Sequence, residues 1–264
     1  KKKKNNTFIG GFAGDALTTG PNNTAIGRSA LTSEDGHGFN VAVGTFSLLN
    51  LNAGDNAFNT AVGYGSGENL TTGTSNSILG GQAGDALTSG SFNMAIGRNA
   101  LTAETGANRS TAIGYFALSS QNKGSGNANN IAIGHSAGES VTTGIQNVII
   151  GNNAGDALTT GGENTVVGYF ALTEEDGHGK NTAIGARALS TQNAGADAYN
   201  VGVGFYAGLS MTTGIRNKLI GGLSGDAITT GSYNVALGMQ ALSSETGGGL
   251  NVAVGTGALE ILNF

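Results

Sequence analysis

The chain has no cysteine, no tryptophan and a single proline, Pro21, and it is short of charge. Without cysteine, neither a disulfide framework nor a thiolate metal site can form. Charged residues make up 11% of the 264 positions, less than half the usual share of about 25%, so the surface is expected to be mostly Ser, Thr, Asn and Gly. Basic residues are thinnest where a polyanion would need them. Four of the twelve form the run Lys1 to Lys4, which leaves eight against seventeen acidic residues. A nucleic-acid groove calls for a basic stripe interleaved with aromatic platforms, and none follows the lysine run. Nucleic acid is therefore set aside as a partner, and residues 1–5 read as a basic leader or tag. No apolar run approaches the roughly 20 residues of a membrane span, and no signal peptide opens the sequence. No membrane contact is expected within this segment.

What the chain has in excess is glycine, 48 residues, and repetition. The phrase Asn23-Thr24-Ala25-Ile26-Gly27 returns fifteen times, with first residues at 6, 23, 40, 59, 76, 93, 110, 130, 147, 164, 181, 200, 217, 234 and 251. Most spacings are 17; every fourth is 19 or 20. If the first residue of each phrase is position zero, position zero is Asn everywhere except Ser110, position three is always Ile, Val or Leu, and position four is always Gly. Position seven is always Ala or Ser, from Ala13 to Ala258. A disordered tract has no reason to hold an aliphatic residue at one phase fifteen times. Five residues rich in β-branched side chains and ended by Gly read as a short strand followed by a corner, and this much glycine argues against helix.

The expected fold is all-β: a parallel β-solenoid of about fifteen coils of 17–20 residues, filling residues 6–264 as a single repeat domain. Equivalent positions then stack about 4.8 Å apart, which gives a rod of roughly 70 Å. The Asn column reads as a ladder of side-chain amides, and the small position seven as a close approach of two backbones. A second rhythm appears at position eight, which runs Gly, Leu, Leu, Gly from Gly14 to Leu259. Where it is Gly, an aliphatic residue stands at position eleven, as in Leu17, Leu70, Leu87, Val141, Leu158, Met211 and Ile228. The apolar plug moves without being lost, so the full repeat is four coils, with the longer spacers after Asn50, Gln121 and Gln192 projecting from one side.

Positions one and three of a strand face one way, and position two faces the other. With position three assigned to the coil interior, position two should meet solvent, yet it is never polar. It is Ala at 25, 42, 61, 95, 112, 132, 183, 236 and 253. A strand apolar on both faces is buried on both. The second face is expected to pack on other copies of the chain, with the small alanines lining the axis of a homotrimer. The last unit stops mid-coil after Leu259, which leads us to expect a piece of a longer chain or of a filament stacked end to end.

The NTAIG…AL…TTG units resemble the repeats of tail-fibre-like proteins that often end in an endosialidase-type intramolecular chaperone. They are also similar to the left-handed β-roll heads of trimeric autotransporter adhesins. The resemblance covers residues 6–259 and implies a homotrimeric fibre, extracellular, on a cell surface or on a virion, used in attachment. The units are longer than typical adhesin-head repeats, and neither chaperone, stalk nor membrane anchor is seen in this sequence.

Candidate chemistry is sparse. His37 and His178 occupy the same Asp-Gly-His-Gly loop, eight coils apart, too far to share an ion within one chain; a solvated turn is the expectation, with a three-histidine site across a trimer as the alternative. His135 stands alone. Gly10–Leu17 resembles a calcium-binding nonapeptide and recurs with Asp85, Asp156 and Asp226, but one carboxylate every four coils does not surround an ion. Thr-Thr-Gly pairs come and go, so they form a polar edge rather than an unbroken ice-like lattice. No group of carboxylates, His or Arg interrupts the pattern as a catalytic site would. The sequence therefore yields no catalytic, cofactor or metal residue, and no enzyme is expected. The leading reading is a structural fibre segment that spaces or presents a receptor-binding tip. The alternative is a glycan-binding module that uses the longer loops and Tyr115, Phe116, Tyr169, Phe170, Phe205 and Tyr206.

Overall fold

A computed structural model describes residues 5–260, in which there are fifteen three-residue strands and no helix. The lysine run Lys1 to Lys4 lies outside the described residues. Each strand occupies positions one to three of its unit, from Thr7–Ile9 in coil 1 to Val252–Val254 in coil 15. The chain divides between Asn130 and Ile131 into two compact units, the first holding the strands of coils 1–7 and the second those of coils 8–15. Within each unit neighbouring strands pair in parallel with like positions opposite. Thr7, Phe8 and Ile9 face Thr24, Ala25 and Ile26 in the first unit; Thr165, Val166 and Val167 face Thr182, Ala183 and Ile184 in the second. Each unit is thus a β-solenoid with one strand per coil.

Three columns hold the coils together. At position four the chain leaves the strand with φ near +130°, as in Gly27 (131°) and Gly168 (143°), a conformation open to glycine alone. The space is closed as well: a Cβ at Gly168 would sit 2.3 Å from the carbonyl oxygen of Gly185. The Asn column is buried, and its Oδ1 accepts the backbone N–H of the next Asn rather than pairing only amide to amide. Examples are Asn40 N–H to Asn23 Oδ1 at 2.9 Å and Asn217 N–H to Asn200 Oδ1 at 2.7 Å. Its Nδ2 donates to the carbonyl fourteen residues on, as from Asn59 to Gly73 (2.8 Å) and from Asn147 to Gly161 (2.9 Å). Amide-to-amide bonds of the expected kind add to this at Asn76, Asn164 and Asn234. Position seven is as expected: Ala30, Ala83 and Ala100 have no exposure.

The assignment of strand faces is reversed from expectation. Position two, not position three, fills the coil: Ala25, Ala61, Ile78, Ala132, Ile149, Val166 and Leu219 are all fully buried within the single chain. Position three points outward, with Ile150 36%, Ile220 41% and Leu237 45% exposed. The reason is volume. Where position two is Phe8, Ile78, Ile149 or Leu219, position eight is Gly, because a side chain there would collide: a Cβ on Gly14 would lie 2.8 Å from the Phe8 ring, and one on Gly225 2.7 Å from Leu219; the smaller Val166 shares its coil with Leu172. Where position eight is Leu, position two shrinks, chiefly to Ala. The moving plug is confirmed, since Leu31, Leu48, Leu70, Leu87 and Val141 are fully buried; burial contributes roughly 1.5–3 kcal/mol for each such side chain.

Candidate interaction surface

The outward face of each sheet combines position one, mostly Thr or Val, with the aliphatic column at position three. In the second unit that column runs Ile133, Ile150, Val167, Ile184, Val203, Ile220, Leu237 and Val254, none of it fully buried. Residues just before position zero flank it and carry the stacked pair Phe39 and Phe58, with ring centres 5.1 Å apart. In the second unit this flank is a cation–aromatic ladder. Lys180 Nζ lies 5.3 Å from the Tyr199 ring, and Arg216 lies 5.8 Å from Tyr199 and 5.5 Å from Tyr233. Lys180 also pairs with Asp197 at 2.6 Å. The hydrogen bond between them raises the Lys180 pKa and holds the Asp197 carboxyl below the ordinary carboxylate range. Lys218 is lowered instead, first by partial burial and then by Arg216.

The aromatic residues singled out from the sequence sit at corners, one pair per coil. Tyr169 and Phe170 meet edge to face at 4.4 Å, Tyr115 and Phe116 at 4.2 Å, and Phe205 and Tyr206 stack at 3.9 Å. Each pair is a feature of its own coil rather than part of one continuous platform.

The two Asp-Gly-His-Gly loops hold something the sequence reading missed, a buried glutamate at position eleven. Glu34, Glu104 and Glu175 have no exposure, and Glu245 has 6%. Each carboxylate tightens its own turn by accepting backbone N–H groups, as Glu104 Oε1 does from Gly106 (3.0 Å) and Ala107 (2.8 Å). His37 Nδ1 lies 3.2 Å from Glu34 Oε1 and 4.0 Å from Asp35, so each histidine loop gathers Glu, Asp and His within 4.8 Å. These are the sets among the described residues with a metal-like spacing, but Glu34 Oε1 is already taken by the N–H groups of Gly36 and His37. His135 is exposed at a corner. The signal for the glutamates was present: in a chain this poor in charge, Glu returns at one position every fourth coil.

In the following coil a glutamine completes the arrangement. Gln121 Nε2 donates to Glu104 Oε2 at 3.1 Å while its Oε1 accepts Asn130 Nδ2 at 2.9 Å. Gln192 relays between Glu175 and Asn200 with the same distances, 3.1 and 2.9 Å. Coil 3 has Leu51 in that place, and Glu34 Oε2 is buried without a partner. Leu51→Gln is therefore expected to leave the melting temperature unchanged or raise it, whereas placing Gln in an apolar core ordinarily costs several kcal/mol. A fall of more than about 5 °C, roughly 1 kcal/mol or more, would show that Glu34 does not want the donor.

The remaining candidates are resolved locally. The first threonine of each Thr pair donates to a carbonyl one coil on, as Thr71 to Thr88 O (3.0 Å) and Thr159 to Asp176 O (2.7 Å). Of the calcium-like aspartates, Asp85 accepts the hydroxyl of Thr102, while Asp156 and Asp226 each keep a buried Oδ1 without a partner, and burial raises both carboxyls. Among the described residues no helix is long and apolar enough to cross a membrane. No family model, curated protein or solved structure matches the chain.

Proposed function

We propose that this chain is a structural segment of an extracellular or virion-borne attachment fibre, built by association of identical chains, three around an axis, through the outward faces of their sheets. The observation that carries the reading is the half-exposed aliphatic column at position three, present in every coil of both units. Soluble monomers rarely leave a contiguous apolar stripe open, and copies related by closed symmetry cover it with the same stripe. The strand is apolar on both sides, but the uncovered side is position three: the alanines of position two, expected to line the axis of a trimer, are buried inside their own coils. A segment of this kind works by stiffness and length, and spaces or presents a recognition element.

The test separates folding from association. Ile150→Asp combined with Ile220→Asp puts two charges on the outward face and is expected to leave β-sheet circular dichroism intact. The mass by light scattering should fall from a multiple of 26.1 kDa to 26.1 kDa. A wild-type chain that runs as a folded 26.1 kDa monomer at micromolar concentration would overturn the reading.

A further inference from the structure

Lys218 is the one charged residue on the outward face of the fifteen strands. Position three is aliphatic throughout, and position one is Thr, Ser, Val, Ile or Met in the other fourteen coils. Lys218 stands in register between Val201 and Val235, on the side of its strand that also carries the exposed Ile220. Its ammonium donates to Tyr199 O at 2.7 Å, which uses one of its three donors. Arg216, two residues earlier, flanks the same face. Its guanidinium lies against the rings of Tyr199 and Tyr233 and donates to Tyr233 Oη at 3.1 Å. Neither cation makes an ion pair among the described residues. Asp197 is held by Lys180, coil 12 contains no acidic residue, and Asp226 lies at position nine, past the glycine corner. The charge that Lys218 feels is Arg216: burial first, and then that neighbour, lower its pKa.

Association sharpens the conflict. Copies related by rotation about an axis along the stack of coils are not shifted along it, so coil 13 of each chain meets coil 13 of the next. Lys218 then meets Lys218 and Arg216, with no carboxylate on the face at that level, and burying a cation without a counter-charge is strongly unfavourable. A valine would build the same strand without this demand. We propose that the copies close around a bound tetrahedral oxyanion, phosphate or sulfate, held by one Lys218 from each chain with Arg216 beside it, and that tight association depends on that anion. The inference rests on the association proposed above and adds a ligand to it. Such an anion brings up to two negative charges, has a three-fold axis of its own, and offers oxygens that accept charge-assisted hydrogen bonds from the free ammonium donors. A halide brings one charge and no such arrangement of acceptors. A single chain supplies only one of the ammonium groups, so the site is incomplete without its partners, and anion binding and association strengthen each other.

The test measures the mass of the whole chain by light scattering across protein concentration, in about 10 mM phosphate or sulfate and in chloride of the same ionic strength, so that screening is equal. The midpoint of association is expected at about tenfold lower protein concentration with either oxyanion than with chloride. Lys218→Val installs the residue of both neighbouring coils. It should associate as tightly as wild type does with oxyanion, and equally in every buffer. Arg216→Gln, which installs the residue that coil 9 has in that place, should show a smaller response to oxyanion. Calorimetric titration of associated wild type with phosphate should give one anion for three chains, and none with Lys218→Val. Equal association of wild type in oxyanion and chloride, an undiminished response in Lys218→Val, or one phosphate bound per unassociated chain would overturn the proposal. Monomers of both wild type and Lys218→Val in every buffer would be a separate result, which overturns the association itself.

Discussion

Ala183→Trp is expected to destroy the fold of the coils around it, not merely to block association. Ala183 is fully buried inside its own coil, in register with Val166 on one side and Gly202 on the other. The space beyond it is taken, since a Cβ on Gly202 would already lie 2.8 Å from Leu189. Even a few extra methylenes in a packed interior cost about 1–3 kcal/mol, and an indole needs far more room than the neighbours can yield. Circular dichroism should lose β signal, and hydrogen exchange should accelerate across coils 10–12. Its neighbour Ile184 faces outward, so Ile184→Asp should leave the β signal intact. A folded, soluble Ala183→Trp chain with an unaltered melting temperature would show that position two is not the interior.

Nearly as large an effect is expected at the Asn column. Asn200 Oδ1 accepts the N–H of Asn217 at 2.7 Å, and its Nδ2 donates to Gly214 O at 2.7 Å and Gln192 Oε1 at 2.9 Å. Leucine would fill the volume but strand three buried partners, each costing roughly 1–3 kcal/mol when left unpaired. Asn200→Leu should therefore lose on the order of 4 kcal/mol, read as a fall in the denaturant midpoint at constant slope. A loss below about 1 kcal/mol would mean that water or relaxation replaces the column, because a single typical hydrogen bond is worth that much.

Repetition made most of the fold legible. Fifteen copies of one phrase located each strand, the glycine corner, the close approach at position seven and the plug that shifts between positions eight and eleven. The direction of the faces was not legible from hydrophobicity, because both sides of the strand are apolar and an alternating pattern orients a strand only when one side is polar. A different signal bore on it: Phe8, Ile78, Ile149 and Leu219 each share a coil with glycine at position eight, and leucine there stands with Ala or Val, although Ala61, Ala132 and Gly202 stand with glycine as well. Side chains that trade volume within one coil must meet inside it. Glu34 and Glu175 were hidden by their setting, since an acid beside Asp, Gly and His reads as an exposed loop until the turn is seen to fold its N–H groups inward onto the carboxylate. Ser110, the one exception in the Asn column, also has a reason. Its coil is the longest, and its Oγ accepts Gln121 Nε2 at 2.8 Å where an asparagine would have sought the carbonyl fourteen residues on.

That glutamine has a consequence for how the array can be edited. In a 17-residue coil the asparagine reaches a carbonyl at a fixed distance along the chain, so an added residue moves the acceptor away from its donor. In coils 7 and 11 the glutamine bridges the glutamate before it and the asparagine after it, but in coil 11 the added length leaves Asn181 Nδ2 buried without a partner, and coil 3 is as long with Leu51 in the glutamine's place. The spacers just beyond Asn52, Asn122 and Asn193 already hold the added residues of their coils, so each is the place in its own coil where a grafted peptide loop is expected to disturb the ladder least.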